Sequence, residues 1–437
     1  MSGLIATTIE RGGQVARRAL ARIVDIRAGE GRAAALSFCY FFCVLAAYYI
    51  VRPIRDELGL VYGKAALQWN FLYVFLVMLA AVPLFGWVVS AFARARIVPV
   101  IYAFFAANLA LFWLLLGIWG QTPALAATIF VWGSVFNLFV ISLFWSVMSD
   151  LWASEPATRL YGVITAGGTI GAIAGGLIAD LAAGALGTRN LLLVSAAFLL
   201  AALALAMRLA TPASGLERAG AARGTPGGGG VLEGAAQVWR SPYLAMIALG
   251  ILIGNIVSTY FYLEQATIVP AALADPVQRV QLFARMNYIS SVLQIVLQVA
   301  ATSRMMRRFG VGITAATLPA AAMLGFGALA AWPTVTTIAV IIVAERAIGF
   351  AFASPAMRVL YTLVAPAEKY KAQNFIDTVI YRGGDAASAA LFAGLKGLGL
   401  GLGAIAVVVM PVVAGWLALT LALGRLHDAR AAGRGPE

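Results

Sequence analysis

The chain has 437 residues, of which 62% are hydrophobic and 11% charged, and its mean hydropathy of +0.91 lies far outside the range of soluble domains. The formal net charge of +13 needs no nucleic acid to explain it, because basic loops beside anionic lipid headgroups account for it. A single histidine, His427, two cysteines and no G-x-x-x-x-G-K-[ST] run argue against a histidine-dependent triad, a histidine-ligated zinc site or ATP-driven pumping by this chain alone. No enzyme, cofactor or metal is expected.

Residues 1–33 form a basic arm. Arg17, Arg18, Arg22 and Arg27 interrupt any apolar signal-peptide core. Val15, Leu20, Ile23 and Val24 share much of one helical face, the pattern of a basic amphipathic helix on the inner leaflet, with a flexible arm as the alternative. Apolar runs of about 18 to 27 residues then recur, long enough to cross a hydrocarbon core of about 30 Å as helices. They predict spans at 34–57, 66–90, 97–118, 124–150, 160–185 and 189–210, then 242–268, 281–303, 311–331, 334–362, 371–395 and 399–424, leaving a tail at 425–437. With both ends cytoplasmic, about 21 of the 31 Lys and Arg face the cytoplasm and about 6 the other side. The sequence therefore predicts an all-α polytopic protein of the inner membrane with about twelve spans and both termini inside.

Thr211, Pro212, Thr225, Pro226 and Gly227 to Gly230 mark 211–241 as a cytoplasmic linker. It divides the chain into six-helix bundles at 34–210 and 242–424. Tyr48 and Tyr260, Arg52 and Glu264, and Arg159 and Lys371 are each 212 positions apart, as a duplication would leave them. Parallel repeats of this kind place a substrate path between the halves, opened alternately to either side as one half rocks on the other.

Charges placed at membrane depth are candidates for function. In Tyr48-Tyr49-Ile50-Val51-Arg52-Pro53-Ile54-Arg55-Asp56-Glu57, Arg52 and Asp56 are one turn apart, and two cations with two tyrosines suit an anion. Anchoring at the headgroups is the alternative. Span seven carries Glu264, symmetric with Arg52, so that a substrate held by one half is released by competition from the other. Glu345 and Arg346 in span ten and Asp377, Tyr381, Arg382 and Asp385 in span eleven form a second cluster. Its carboxylates either exchange a proton during transport or sit in permanent ion pairs, Arg382 reaching Asp385 or Glu345. Arg358 lies deeper in span ten. Arg285, Asn287, Tyr288, Gln294 and Gln298 make span eight polar, as the lining of a wet cavity would. Arg159 and Lys371 fit either substrate binding or the inward excess of positive charge. Cys39 and Cys43 read as small buried thiols.

Gly167, Gly171 and Gly175 repeat every fourth position of span five and allow close helix packing. The run Gly167 to Gly176 resembles the antiporter motif of the major facilitator superfamily, with Ala172 where that motif has proline. Gly86, Arg94 and Arg96 resemble its basic loop, with Ser90 at the acidic position. Arg52-Pro53-Ile54-Arg55-Asp56, Leu143-Phe144-Trp145 with Ala157 to Tyr161, and Lys369 to Asp377 resemble three segments of the non-mitochondrial ATP/ADP translocase family and its bacterial relatives. That family's acidic position in span four is Gly133 here, the third lysine of its last motif is Gln373, and its G-K-S is Gly384-Asp385-Ala386. The resemblance implies a facilitator-type fold and an anionic substrate; the departures weigh against ATP/ADP exchange itself.

The reading is a secondary transporter of an organic anion, such as a nucleotide or other phosphorylated metabolite. Tyr48, Tyr49, Arg52, Arg55, Arg159, Glu264, Arg358, Lys371 and Arg382 are assigned to substrate. Asp56, Glu264, Glu345, Asp377 and Asp385 are assigned to coupling by protons, sodium or a counter-substrate, or to ion pairs. A lipid or amphiphile exporter and a non-transporting sensor or scaffold are the alternatives.

Overall fold

The computed structural model describes residues 27, 30–60, 62–92, 94–152, 154–209, 231–364, 368, 372–373, 375–400 and 402–433. The amphipathic segment of the N-terminal arm, most of the linker and Lys371 lie outside them. The first bundle consists of α1 (Gly31–Leu60), α2 (Gly63–Ala91), α3 (Arg94–Ile118), α4 (Pro123–Leu151), α5 (Ser154–Leu186) and α6 (Leu191–Leu209). A ten-residue helix, Val231–Arg240, leads into α7 (Pro242–Ala272).

Ten helices are long and apolar enough to cross a membrane, but one of them, Pro276–Ala331, has 56 residues. At 1.5 Å per residue that is about 84 Å, far beyond a core of about 30 Å. Gly310, at φ 81 and ψ 171, breaks it into α8 (276–309) and α9 (311–331), a backbone conformation that costs glycine little. The sequence α10 (335–363) runs through a π turn at Gly349–Ala353. Helix α11 (376–397) begins with the π turn Ile376–Ile380; Arg382, Gly383, Gly384 and Asp385 lower its hydropathy. With α12 (Leu402–Gly433), twelve spanning helices are placed among the described residues.

Local signals explain where several helices start. Thr122, Ser241 and Asp275 each cap a helix whose first residue is proline, accepting from Leu125, Leu244 and Val277 N–H respectively. Helix α12 does not stop near residue 424 as expected. It continues to Gly433, since no breaker intervenes and Arg430 packs over the Tyr243 ring at 4.7 Å; His427 is accordingly buried in a helix and not in a solvated tail.

Two apolar cores hold the helices, one around Phe41 stacked on Phe144 at 4.1 Å and one around Phe261 stacked on Phe326 at 4.5 Å, and Phe71 and Phe130 of the first half join the second core. Helix α5 lies directly on α1. A Cβ on Gly167, Gly171 or Gly175 would come within 2.5 Å, 2.2 Å or 2.5 Å of the carbonyl oxygens of Phe38, Phe42 and Ala46, so only glycine permits that approach. The halves meet along α5 with α8 and α2 with α11.

Candidate functional site: the cavity between the halves

A cavity of about 880 Å³ opens between the bundles. From α1 it takes Tyr48, Tyr49, Arg52, Arg55 and Asp56; from α4, Ser134 and Asn137; from α7, Asn255, Ser258, Thr259 and Tyr262; from α10, Glu345, Arg346 and Arg358; from α11, Tyr381 and Asp385. It reaches Arg358, Tyr361 and Leu423 near the face that carries the start of α1 and the end of α12, here the terminal face.

The two cations of α1 differ. Arg55 is fully engaged: its Nε donates to the Phe130 carbonyl at 3.0 Å, Nη2 to Ser134 Oγ at 3.2 Å and Nη1 to Asp56 Oδ1 at 3.0 Å, with the guanidinium 3.9 Å from the Phe130 ring centre. Gly133 makes room for this route across α4, because a Cβ there would lie 2.7 Å from Arg55 Cδ. Arg52 has only the Tyr49 ring, 5.5 Å away, and no hydrogen-bond or ion-pair partner among the described residues. Asp56, expected to face Arg52 one turn away, is instead taken by Arg55 and by Tyr262 of the opposite half, whose hydroxyl donates to Oδ1 at 3.0 Å.

On the other wall, Glu345 accepts from the Ser258 hydroxyl. Arg346 turns away from it and donates to Asn287 Oδ1 at 2.7 Å. Asp385 accepts from Asn255 Nδ2 and Thr259 Oγ1, both at 2.9 Å, and Asn255 also donates to the Tyr381 carbonyl. Arg358 is exposed in the cavity mouth. The π turn of α10 brings Gly349, Phe350 and Ala353 to the same wall, a distortion often found where helices line a site.

Other predicted residues lie elsewhere. Arg159 forms a two-bond pair with Glu30 at the terminal face, 2.9 Å and 3.3 Å, away from the cavity lining. Arg27 N–H also donates to Glu30, and these bonds, Arg159's first, hold the Glu30 carboxyl below its ordinary range. Glu264 is 0% exposed within the second half and does not line the cavity. Asp377 and Arg382 fall in the α11 segment, but their side chains lie outside the described residues, as does all of Lys371.

The cavity register explains Glu264. Tyr48, Tyr49 and Arg52 share it with Ser258, Thr259 and Tyr262, an offset of 210 and not 212. Two residues turn a helix by about 200°, which moves a cavity position onto the core side. Sequence reading missed the polar stripe Asn255, Ser258, Thr259, Tyr262; its spacing of three to four in a helix of otherwise apolar residues was the available signal.

Two ion pairs join the halves toward the face away from the termini. Glu57 Oε1 of α1 accepts from Arg279 Nη2 of α8 at 2.8 Å, with side chains 2% and 10% exposed. Arg279 Nη1 also donates to the carbonyls of Leu273 and Ala274, at 2.9 Å each. Asp180 of α5 accepts from Arg285 Nε of α8 at 3.0 Å on both oxygens and from the Tyr288 hydroxyl at 3.3 Å. Arg285 and Tyr288, expected to line a wet cavity, serve this junction.

No protein-family model matches the chain, and no curated protein matches its sequence. Solved structures do match its fold. The nucleoside transporter NupG has a TM-score of 0.61 at 15% identity, covering 94% of this chain and 100% of that one. A bacterial homologue of the iron transporter ferroportin, in an inward-facing state, has a TM-score of 0.59 at 12% identity, covering 91% and 98%. A bacterial homologue of the lysosomal transporter Spinster, also inward-facing, has a TM-score of 0.51 at 13% identity, covering 93% and 96%. The chain is thus an all-α, multi-pass membrane protein of two six-helix bundles with the major facilitator-type fold.

Proposed function

We propose that this chain is a secondary active transporter that moves a small organic anion across the inner membrane by alternating access, with both termini in the cytoplasm. The observation that carries this reading is Arg52: a cation in a cavity between two bundles, with no hydrogen bond or ion pair of its own among the described residues. Such a charge at membrane depth is costly unless something compensates it, and a bound anion does so. Arg358 at the mouth adds a second point of attraction, and Tyr48 and Tyr49 offer aromatic faces to an organic moiety. Arg55 acts as a positioning residue that fixes Asp56.

In this orientation the Glu57 to Arg279 and Asp180 to Arg285 pairs close the outer side while the cavity reaches the cytoplasmic side. Transport requires these pairs to part and the terminal face to close. The resemblance of the three sequence segments favours a phosphorylated metabolite among organic anions.

Uptake of radiolabelled mononucleotides, sugar phosphates, dicarboxylates and aromatic carboxylates into proteoliposomes tests the proposal. The expected result is saturable flux of one class, lost in Arg52→Gln. Flux of neutral amphiphiles only, unaffected by Arg52→Gln, would move the function to lipid export.

A further inference from the structure

We infer that Glu345 is the proton-binding group of this cavity and that an anion on Arg52 and a proton on Glu345 are carried together. The inference rests on the transporter reading and adds its coupling species.

Glu345 lines the cavity, where its one hydrogen bond among the described residues comes from a neutral donor, Ser258. No described cation lies within ion-pair distance, because Arg346, the next residue, is turned to Asn287 of α8. A carboxylate without a cation in a membrane cavity is stabilised by binding a proton. The ionisable groups that share the cavity lining with it are Tyr48, Tyr49, Arg52, Arg55 and Asp56 from α1, Tyr262 from α7, Arg346, Arg358 and Tyr361 from its own helix, and Tyr381 and Asp385 from α11. Helices α2, α4, α9 and α12 add no ionisable side chain to the described lining. Arg55 and Asp56 satisfy each other, and Asp385 is held by Asn255 and Thr259. Glu345 is therefore the carboxylate with the fewest bonds to lose on protonation.

Charge balance points the same way. The described lining holds four arginines and three carboxylates, a net charge of one positive. An anion carried with one proton changes that charge by one unit less than the anion alone, so the loaded carrier crosses an electrostatic barrier closer to that of the empty one. The proton moves from water to a Glu345 carboxylate oxygen on one side and returns to water on the other, with no covalent step.

Two measurements on the full-length protein test this. Infrared difference spectra of reconstituted protein, taken between mildly acid and mildly alkaline buffer, should show a protonated-carboxyl band that Glu345→Gln removes and Asp385→Asn retains. A spectrum unchanged by Glu345→Gln overturns the assignment. In proteoliposomes, an inward proton gradient should concentrate the transported anion; Glu345→Gln should retain exchange of internal for external anion while the gradient-driven accumulation falls to a ratio of one. Wild-type exchange that ignores the proton gradient overturns the coupling and leaves the transporter reading intact. No movement of any anion under any gradient, in a protein that is folded by its melting transition, overturns both.

Discussion

Tyr262 of α7 donates its hydroxyl to Asp56 of α1 at 3.0 Å and so ties the two bundles at the end of the cavity remote from the chain termini. Hydrogen bonds to a charged acceptor contribute about 1.5 to 3 kcal/mol. Tyr262→Phe should weaken this closure while leaving each bundle folded. Cysteine probes near Glu57 should label faster from the outside in the variant; unchanged labelling would show that the bond does not hold the halves together.

The Glu57 to Arg279 pair is the stronger tie. Removing one partner of a buried pair costs about 3 to 5 kcal/mol because the other charge is left uncompensated. The Leu273 and Ala274 carbonyls on Arg279 place Glu57→Gln toward the lower end of that range. The melting temperature in detergent should fall for Glu57→Gln and recover partly in Glu57→Gln with Arg279→Gln. Equal losses in single and double variants would contradict the pairing.

Gly133 permits the path of Arg55. Gly133→Ala places a methyl 2.7 Å from Arg55 Cδ and should displace Arg55 from Phe130, Ser134 and Asp56 at a cost of about 1 to 3 kcal/mol. Gly171→Ala is the harsher change, since the carbonyl of Phe42, 2.2 Å from the new Cβ, is backbone and cannot swing aside. A lower melting temperature for Gly171→Ala than for Gly133→Ala is the expected order.

The Glu30 to Arg159 pair carries a pH signature. The Glu30 carboxyl is held below its ordinary value of 4.5, so its contribution is complete above that value and is lost as the pH falls through the lower folded-state value. Acid unfolding of the wild type should therefore be steeper than that of Arg159→Gln, and the two should run parallel near neutrality. Both side chains are partly solvated, so the difference should be small.

Much of the fold was legible because it is set by a one-dimensional quantity, the length of the apolar runs. The cavity was legible only in part. Arg52 and Arg55 read as equivalent, since nothing in Arg52-Pro53-Ile54-Arg55 shows that Arg55 crosses to α4 past Gly133. Glu264 read as a cavity residue because a repeat offset wrong by two residues looks as good as the right one until helix phase is known. Glu57, Asp180 and Arg279 went unassigned because an ion pair between residues more than 100 apart in sequence leaves no local pattern.

On the proposed function, Arg52 awaits an anion. Thermal stabilisation of the purified protein and of Arg52→Gln, across mononucleotides, sugar phosphates, carboxylates and neutral amphiphiles, tests it most directly, since a ligand bound only to the folded state raises apparent stability by RT ln(1 + [L]/Kd). The account predicts that at least one organic anion stabilises the wild type and that Arg52→Gln abolishes the shift. Stabilisation by neutral amphiphiles alone, equal in both proteins, would contradict it.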